Sequence, residues 1–432
     1  SKEARNHVLT RMNIEGMISD AQLKDFKSRP LELAEGTDAQ NSYVYEIIRQ
    51  QVIDEIGFDK AGGGGFKIYT TIDGKVQEAA RESLRKNLSK IESHPNFEHP
   101  TYAKFVAGRS AKRLAEAGDA KPKPPDYLQG AVLMIDNRTG GIVAMVGGRT
   151  LEHSQYNRAM LAVRPTGTAF LPYVYATAFT ADYFPGSIVR DAPIDNRSVA
   201  IGGDTGILGE WGAESEEVTY QGDIPARQAL VQSKNAATVR LGKKIGRSKV
   251  VDVIQRAGIE SPVDDYDKTL LGSSGATLAE MVKAFTIFPN GGTRPDKLYL
   301  VTSINDSKGR TIFSEGAATQ VEVIDQIASY QVHSCLSEAL SEGTGQYASM
   351  RYGFDDRNAA GKTGTAYNFT DLWFVGYNNS VTCGVWSGFD TPKTIYRGAF
   401  SNSTVLPVWV DAMTAGQPAF RSSAVPFPTG AR

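Results

Sequence analysis

The sequence predicts an α+β fold, an antiparallel sheet flanked by helices. Three observations predict it. β-runs stand at 129–147 and again at 359–389. Helical patterns fill the interval between them. One of these, "GTAFLPYVYATAFTADYF", is apolar on nearly every face. A helix without a polar face has to be buried. Strands at both ends of a region with helices between them come together as one sheet carrying helices on its faces.

Taken in order, residues 1–60 show apolar residues every three or four positions, a helical period. Ser19-Asp20 ahead of Ala21 reads as a helix start. A Gly62–Gly65 run precedes "FKIYTTID", an alternating strand, and then "GKVQEAARESLRKNLSKI", a helix. Residues 93–127 carry His-Pro and "KPKPPDY" and read as a loop or insertion; their basic residues, Lys104 to Lys123, read as a solvated face. From residue 129 the texture changes. "GAVLMIDNRTGGIVAMVGG" reads as a hairpin turning at Asn137–Gly141. Pro172 is tolerated in the apolar helix only in its first turn. A polar stretch (185–222) precedes "PARQALVQSKNAATVRLGKKIG", helical with a polar interruption. "TLAEMVKAFTIFPNGG" and "IASYQVHSCLSEALSEGTG" are helices stopped by glycines. The last β-region holds three runs, with Asn378-Asn379 as a tight turn. There is no internal repeat. The change at 129 divides the chain into 1–128 and 129–432.

Composition narrows the function. The 432 residues carry a net charge of −1, with 41% hydrophobic and 22% charged residues, which is ordinary globular composition. The balanced charge argues against a nucleic-acid binder. No run reaches the ~18 apolar residues of a membrane span. The opening "SKEARNHVLTRM" has no initiator Met, so the chain reads as a fragment. Cys335 in a helical pattern and Cys383 in a strand pattern read as buried free thiols. His94 and His99 match no metal-ligand spacing. Neither a metal nor a cofactor is expected.

The chemistry sits in three short motifs. "GKTGT" at 361–365 has the end of a phosphate loop, but Asp356 stands where the motif's first glycine belongs, and a β-pattern follows instead of a helix. On a strand, Lys362 supplies a cation and Thr363 and Thr365 supply hydroxyls, while Gly364 leaves room for a ligand. Such an edge suits an extended peptide ending in a carboxylate. Upstream, Ser233-x-Asn235 places a hydroxyl and an amide at a helix–loop junction. Further upstream, Thr168-Ala169-Phe170-Leu171 opens the buried helix. Ser-x-x-Lys, Ser-x-Asn and Lys-Thr-Gly in this order mark penicillin-binding proteins and serine β-lactamases.

The resemblance covers nearly the whole chain. "TTIDGKVQEAA", "AVLMIDNRTGGIVAMVGGR", "ALVQSKNAATVRLG", "LLGSSGATLAEMVKAFTIFPNGG", "EGTGQYA" and "AAGKTGTAYNFTDLWFVGYN" resemble the transpeptidase half of bifunctional, class A penicillin-binding proteins. "ARNHVLTRM" resembles the linker that follows their glycosyltransferase domain. The resemblance implies a penicillin-binding protein / serine β-lactamase-like transpeptidase fold at 129–432 behind a linker or pedestal at 1–128. It implies a membrane anchor and glycosyltransferase domain upstream, and a site on the periplasmic face of the bacterial cytoplasmic membrane. The implied partners are a peptidoglycan stem peptide or lipid-linked precursor and cell-wall synthesis proteins, with no nucleic acid.

One stretch departs from the family pattern. Thr168 stands at the position of the nucleophilic serine and Leu171 at that of the general-base lysine; Pro165 and Thr166 also replace the family's residues. A hydroxyl needs an adjacent base to become a nucleophile, and leucine has no acceptor at any pH. Removing a general base costs ~10²–10⁴ in rate. The expectation is therefore a D,D-transpeptidase-like domain that has lost its reaction and serves as a peptide-binding, scaffolding or regulatory module. The alternative is a transpeptidase working through Thr168. The retained Ser233, Asn235, Lys362, Thr363 and Thr365 either bind peptide or hold the fold by hydrogen bonds.

Overall fold

The structure, a computed structural model, describes residues 2–29, 42–115, 125–195, 199, 220–264 and 266–429. Its centre is a five-stranded antiparallel sheet of β1 (Gln129–Asp136), β2 (Ile142–Val146), β3 (Ala360–Thr365), β4 (Asp371–Tyr377) and β5 (Val381–Gly388), in the order β3-β4-β5-β1-β2. The Lys-Thr-Gly strand is thus one edge of the sheet and the first hairpin the other. Both turns are held by short polar side chains. Asp136 Oδ1 accepts from the amides of Arg138 and Thr139, and Asn378 Oδ1 from those of Ser380 and Val381.

Six helices matter for the site: α1 (Gly74–Glu92), α2 (Leu171–Thr180), α3 (Asn235–Ile245), α4 (Leu278–Phe285), α5 (Gln326–Ser341) and α6 (Leu406–Gly416). They cover both faces of the sheet, so its strands are buried almost without interruption. On one face Val76, Ala80, Leu84 and Leu88 of α1 and Trp409 of α6 pack with Val132, Met134 and Phe374. On the other, α2 to α5 pack with Leu133, Ile135, Val375 and Tyr377. Neighbouring strand residues go to opposite faces, as the pleat requires.

The residues before 129 also take part in this packing. Besides α1, the strand Lys67–Thr70 pairs with Val301–Asn305, which pairs in turn with Thr311–Ser314. The helix Asp20–Ser28 starts as the sequence suggests. Ser19 accepts from Gln22 N and the Gln22 side chain accepts from Ser19 N, a reciprocal cap.

The reading of 93–127 as a loop needs correction, because Tyr102–Ala115 is a helix. Tertiary contacts stabilise it. Tyr102 and Phe105, three positions apart on one face, meet the Tyr127 ring at 5.0 and 4.9 Å. The Pro-rich part of that stretch lies mostly outside the described residues, as does most of the polar stretch at 185–222, whose ends pair as Ile188–Asp191 with Gly222–Pro225. Cys335 and Cys383 are buried free thiols. His94 stacks on Tyr396, and His99 Nε2 lies 2.7 Å from Thr394 O. Among the described residues no group of three or more His, Cys, Asp or Glu could hold a metal, and no helix is long and apolar enough to cross a membrane.

Candidate active site

The site forms where α2 begins. Gly167–Phe170 make a 3₁₀ turn that runs directly into α2, so Thr168 lies on the turn and Leu171 is the first α-helical residue. Two glycines let this turn press on β3. Gly167 has φ +53°, and a Cβ there would come 2.3 Å from Thr365 O. A Cβ on Gly364 would come 2.6 Å from Thr166 O and 2.7 Å from Ala169 Cβ. This corrects the reading of Gly364: the space it leaves is filled by the α2 entry turn, not by a ligand.

The turn is anchored from behind. Arg164 Nε donates to Asp371 Oδ1 at 2.7 Å, the Trp386 indole donates to the same oxygen at 2.9 Å, and the Trp373 indole donates to Pro165 O at 2.8 Å. The amides of Thr166 and Gly167 both donate to Gly272 O. The sequence reading missed Arg164 and Asp371. Their signal is a charged residue at the head of an apolar strand and another just before an apolar helix; a buried charge needs a partner.

Four of the sequence-predicted residues converge. Thr168 Oγ1 donates to Thr363 O at 3.0 Å. Lys362 Nζ donates to Ser233 Oγ at 2.5 Å and to Thr363 O at 3.3 Å. One carbonyl therefore receives both the Thr168 hydroxyl and the Lys362 amine. Ser233 sits in the break between the helix Ala226–Val231 and α3, at φ +57°, where non-glycine residues are rare. Asn235, buried, opens α3 two residues later. Lys362 is 1% exposed, and burial brings its ammonium down to about 7 from 10.5.

The remaining residues divide differently. Leu171 is fully buried in the large apolar cluster under the sheet. Thr363 Oγ1 pairs with Thr344 Oγ1 at 2.8 Å, and Thr365 Oγ1 with Ser401 Oγ at 2.9 Å; Ser401 also donates to Gly364 O. These hydroxyls tie β3 to its neighbours, which is the fold-holding reading of their retention. Thr344 and Ser401 were missed as well. The first lies in the quoted "EGTGQYA", a threonine between two glycines after a helix; nothing local marks the second.

Chemically the arrangement is uneven. The Thr168 proton points at an amide oxygen, which is no base. Leu171 offers no lone pair. The amine that can be neutral near pH 7 contacts Ser233 instead.

A buried helix that starts against an edge strand bearing Lys-Thr-Gly, with Ser-x-Asn bonded to the lysine, defines the penicillin-recognising acyltransferase class. The chain belongs to the penicillin binding protein transpeptidase domain family, whose model matches residues 130–388, from β1 to the end of β5. Among curated relatives, penicillin-binding protein 1A of Rickettsia prowazekii (strain Madrid E) is 26% identical over 95% of this chain and 62% of that protein. Penicillin-binding protein 1A of Neisseria lactamica is 27% identical over 96% of this chain and 60% of that protein. The chain thus spans about three fifths of these relatives' length. Among solved structures, penicillin-binding protein 1A from Haemophilus influenzae matches 99% of this chain and 78% of that chain, with a TM-score of 0.76 and 21% identity. PonA1 from Mycobacterium tuberculosis, in complex with penicillin V, matches 90% of this chain and 96% of that chain, with a TM-score of 0.68 and 20% identity.

Proposed function

We propose that this chain is the transpeptidase-like part of a peptidoglycan-synthesis protein that does not form an acyl-enzyme at Thr168 and acts as a peptide-binding, scaffolding or regulatory module. The observation that carries this reading is the pair at the start of α2. Thr168 gives its proton to Thr363 O, and the base position is Leu171, embedded in apolar packing. Threonine's extra methyl further restricts χ1 and crowds an attacking oxygen. Drift to leucine also fits the energetics, since burying its side chain is favourable by ~1.5–3 kcal/mol, whereas a lysine there would have to be desolvated.

The ligand class is a peptidoglycan stem peptide or its lipid-linked precursor, whose terminal carboxylate would meet Lys362 on the edge strand β3. We read residues 1–128 as the linker or pedestal, with its helix α1 packed onto the sheet of the transpeptidase-like unit at 129–432. The protein belongs at the cell envelope, on the extracytoplasmic side of the membrane, with an anchor and a glycosyltransferase upstream and other cell-wall synthesis proteins as partners. One experiment tests this reading. The purified chain is incubated with a fluorescent penicillin and digested, and the peptide containing residue 168 is analysed by mass; binding of a stem peptide ending in D-Ala-D-Ala is followed in parallel by anisotropy. Reversible stem-peptide binding without an adduct on Thr168 is expected. An adduct on Thr168 at the rate of an ordinary penicillin-binding protein overturns the reading in favour of an active transpeptidase.

A further inference from the structure

We propose that Ser233 and Lys362 form a second Ser–Lys pair, in which Ser233 takes an acyl or phosphonyl group from a small activated donor with Lys362 as its base. The inference rests on the reading that positions 168 and 171 have lost the family's reactive pair. The geometry points to Ser233 because its Oγ lies 2.5 Å from Lys362 Nζ. Lys362 donates in this contact as found; once the amine is neutral, its lone pair lies within reach of the Ser233 proton and can activate the hydroxyl as a nucleophile. The Thr168 hydroxyl spends its proton on a carbonyl instead.

Three further observations support the assignment. Burial alone accounts for the lowered proton affinity of Lys362. Among the described residues no carboxylate forms an ion pair with it, so no counter-charge favours the ammonium. The acid beside the neighbouring Lys234, Asp191, pairs with that lysine at 3.6 Å. Ser233 also sits at φ +57° between two helices. Strained non-glycine backbone at a sharp turn is the setting in which nucleophiles are presented. Finally, α3 begins two residues on and has no side-chain cap. Its first-turn amides lie close in sequence to the oxygen where charge would develop.

The step balances without a further reactant. With an alkyl phosphonofluoridate, Ser233 Oγ attacks phosphorus, the P–F bond breaks and fluoride leaves. The hydroxyl proton passes to neutral Lys362, which becomes an ammonium. With an ester, the bond to the alkoxide breaks, and the leaving oxygen takes the proton back from Lys362.

The test uses a small alkyne-bearing ethyl phosphonofluoridate on the whole chain. Ser233 is read on its own tryptic peptide, since Arg227 and Lys234 flank it without another Lys or Arg between. Labelling of that peptide, and not of the one carrying residue 168, is expected in the wild type. Lys362→Met should label at least ~10²-fold more slowly, the scale of a lost general base. Ser233→Gly should not label there at all. Glycine adopts the same φ without strain, so this variant removes the hydroxyl while leaving the backbone able to fold; thermal melts confirm folding of each variant. Absence of label on Ser233 in the folded wild type overturns the proposal, as does label on Thr168 alone or an unchanged rate in folded Lys362→Met. A penicillin adduct on Thr168 would instead strike at the reading of positions 168 and 171, so the two failures are told apart by the peptide that carries the mass.

Discussion

Leu171 has no lone pair at any pH, and the proposed loss of acyl transfer rests on this residue more than on Thr168. Threonine still carries a hydroxyl; leucine can carry no proton. Positions 168 and 171 lie three residues apart, within one turn, so their side chains are neighbours. Thr168→Ser with Leu171→Lys should therefore restore β-lactam acylation at position 168, and neither single variant should. A nucleophile and its base act as a unit, and each alone loses most of the effect. The measurement is the adduct mass on the residue-168 peptide for the double variant against both singles. If Thr168→Ser alone acylates as fast as the double variant, another group is the base. The new lysine would lie where Leu171 is now fully buried, so the melt should show a loss of ~1–3 kcal/mol for a polar group without full compensation.

At the scale of elements, the site is the seam between the α2 entry turn and β3. Gly364 closes that seam: its missing side chain is replaced by Thr166 O, Ala169 and Trp373. Gly364→Ala should push the turn off the strand. The expected cost is ~1–3 kcal/mol, typical of overpacking, measured by urea unfolding. The same substitution should slow acylation of the restored double variant, because the shifted turn carries position 168. A stable, fully reactive Gly364→Ala would mean the seam is looser than its contacts imply. Lys-Thr-Gly was legible as a strand motif because β-patterned residues follow it. The role of its glycine was not, because Thr166 and Ala169, whose atoms come closest in that space, lie nearly two hundred positions earlier in the chain.

For the whole molecule, the sheet is covered on both sides, and that burial sets how stability follows pH. Lys362 titrates near 7 in the fold against 10.5 in the open. Between those values the unfolded chain holds the extra proton, so stability should rise with pH from about 7 towards 9, by up to ~1.4 kcal/mol per unit for one proton. Lys362→Met should flatten that rise. Above about 9 the trend should reverse. Burial raises both the Cys335 thiol, to about 12, and the Cys383 thiol, so these ionise more readily once unfolded. On the acid side, burial holds His333 down at about 4 against 6.5, with Nδ1 on the Tyr377 hydroxyl at 3.2 Å. Between those values the unfolded chain again holds the extra proton. Stability should therefore fall as pH drops from 6.5 to 4, and His333→Phe should reduce that fall. Urea midpoints across pH 4–10 for the wild type and both variants check the whole profile; a flat wild-type curve between 7 and 9 would rule out a neutral buried lysine.

What the sequence determined by itself was local or periodic. The buried helix with Pro172 in its first turn, the interruption at Ser233, the Asn378 turn and the order of the three motifs depend on neighbours a few residues apart, and period and turn chemistry express them directly. So does the absence of a base at Leu171, since it needs only the residue type. Only the tertiary structure decided which groups meet. Lys362 reaches Ser233 across 129 positions of chain, Arg164 finds Asp371 across 207, and the helix Tyr102–Ala115 packs on the Tyr127 ring beyond its own end. Such contacts leave no periodic trace. They form because burying apolar faces on both sides of one sheet brings distant residues together, and a buried polar group then has to use whatever partner the packing places beside it.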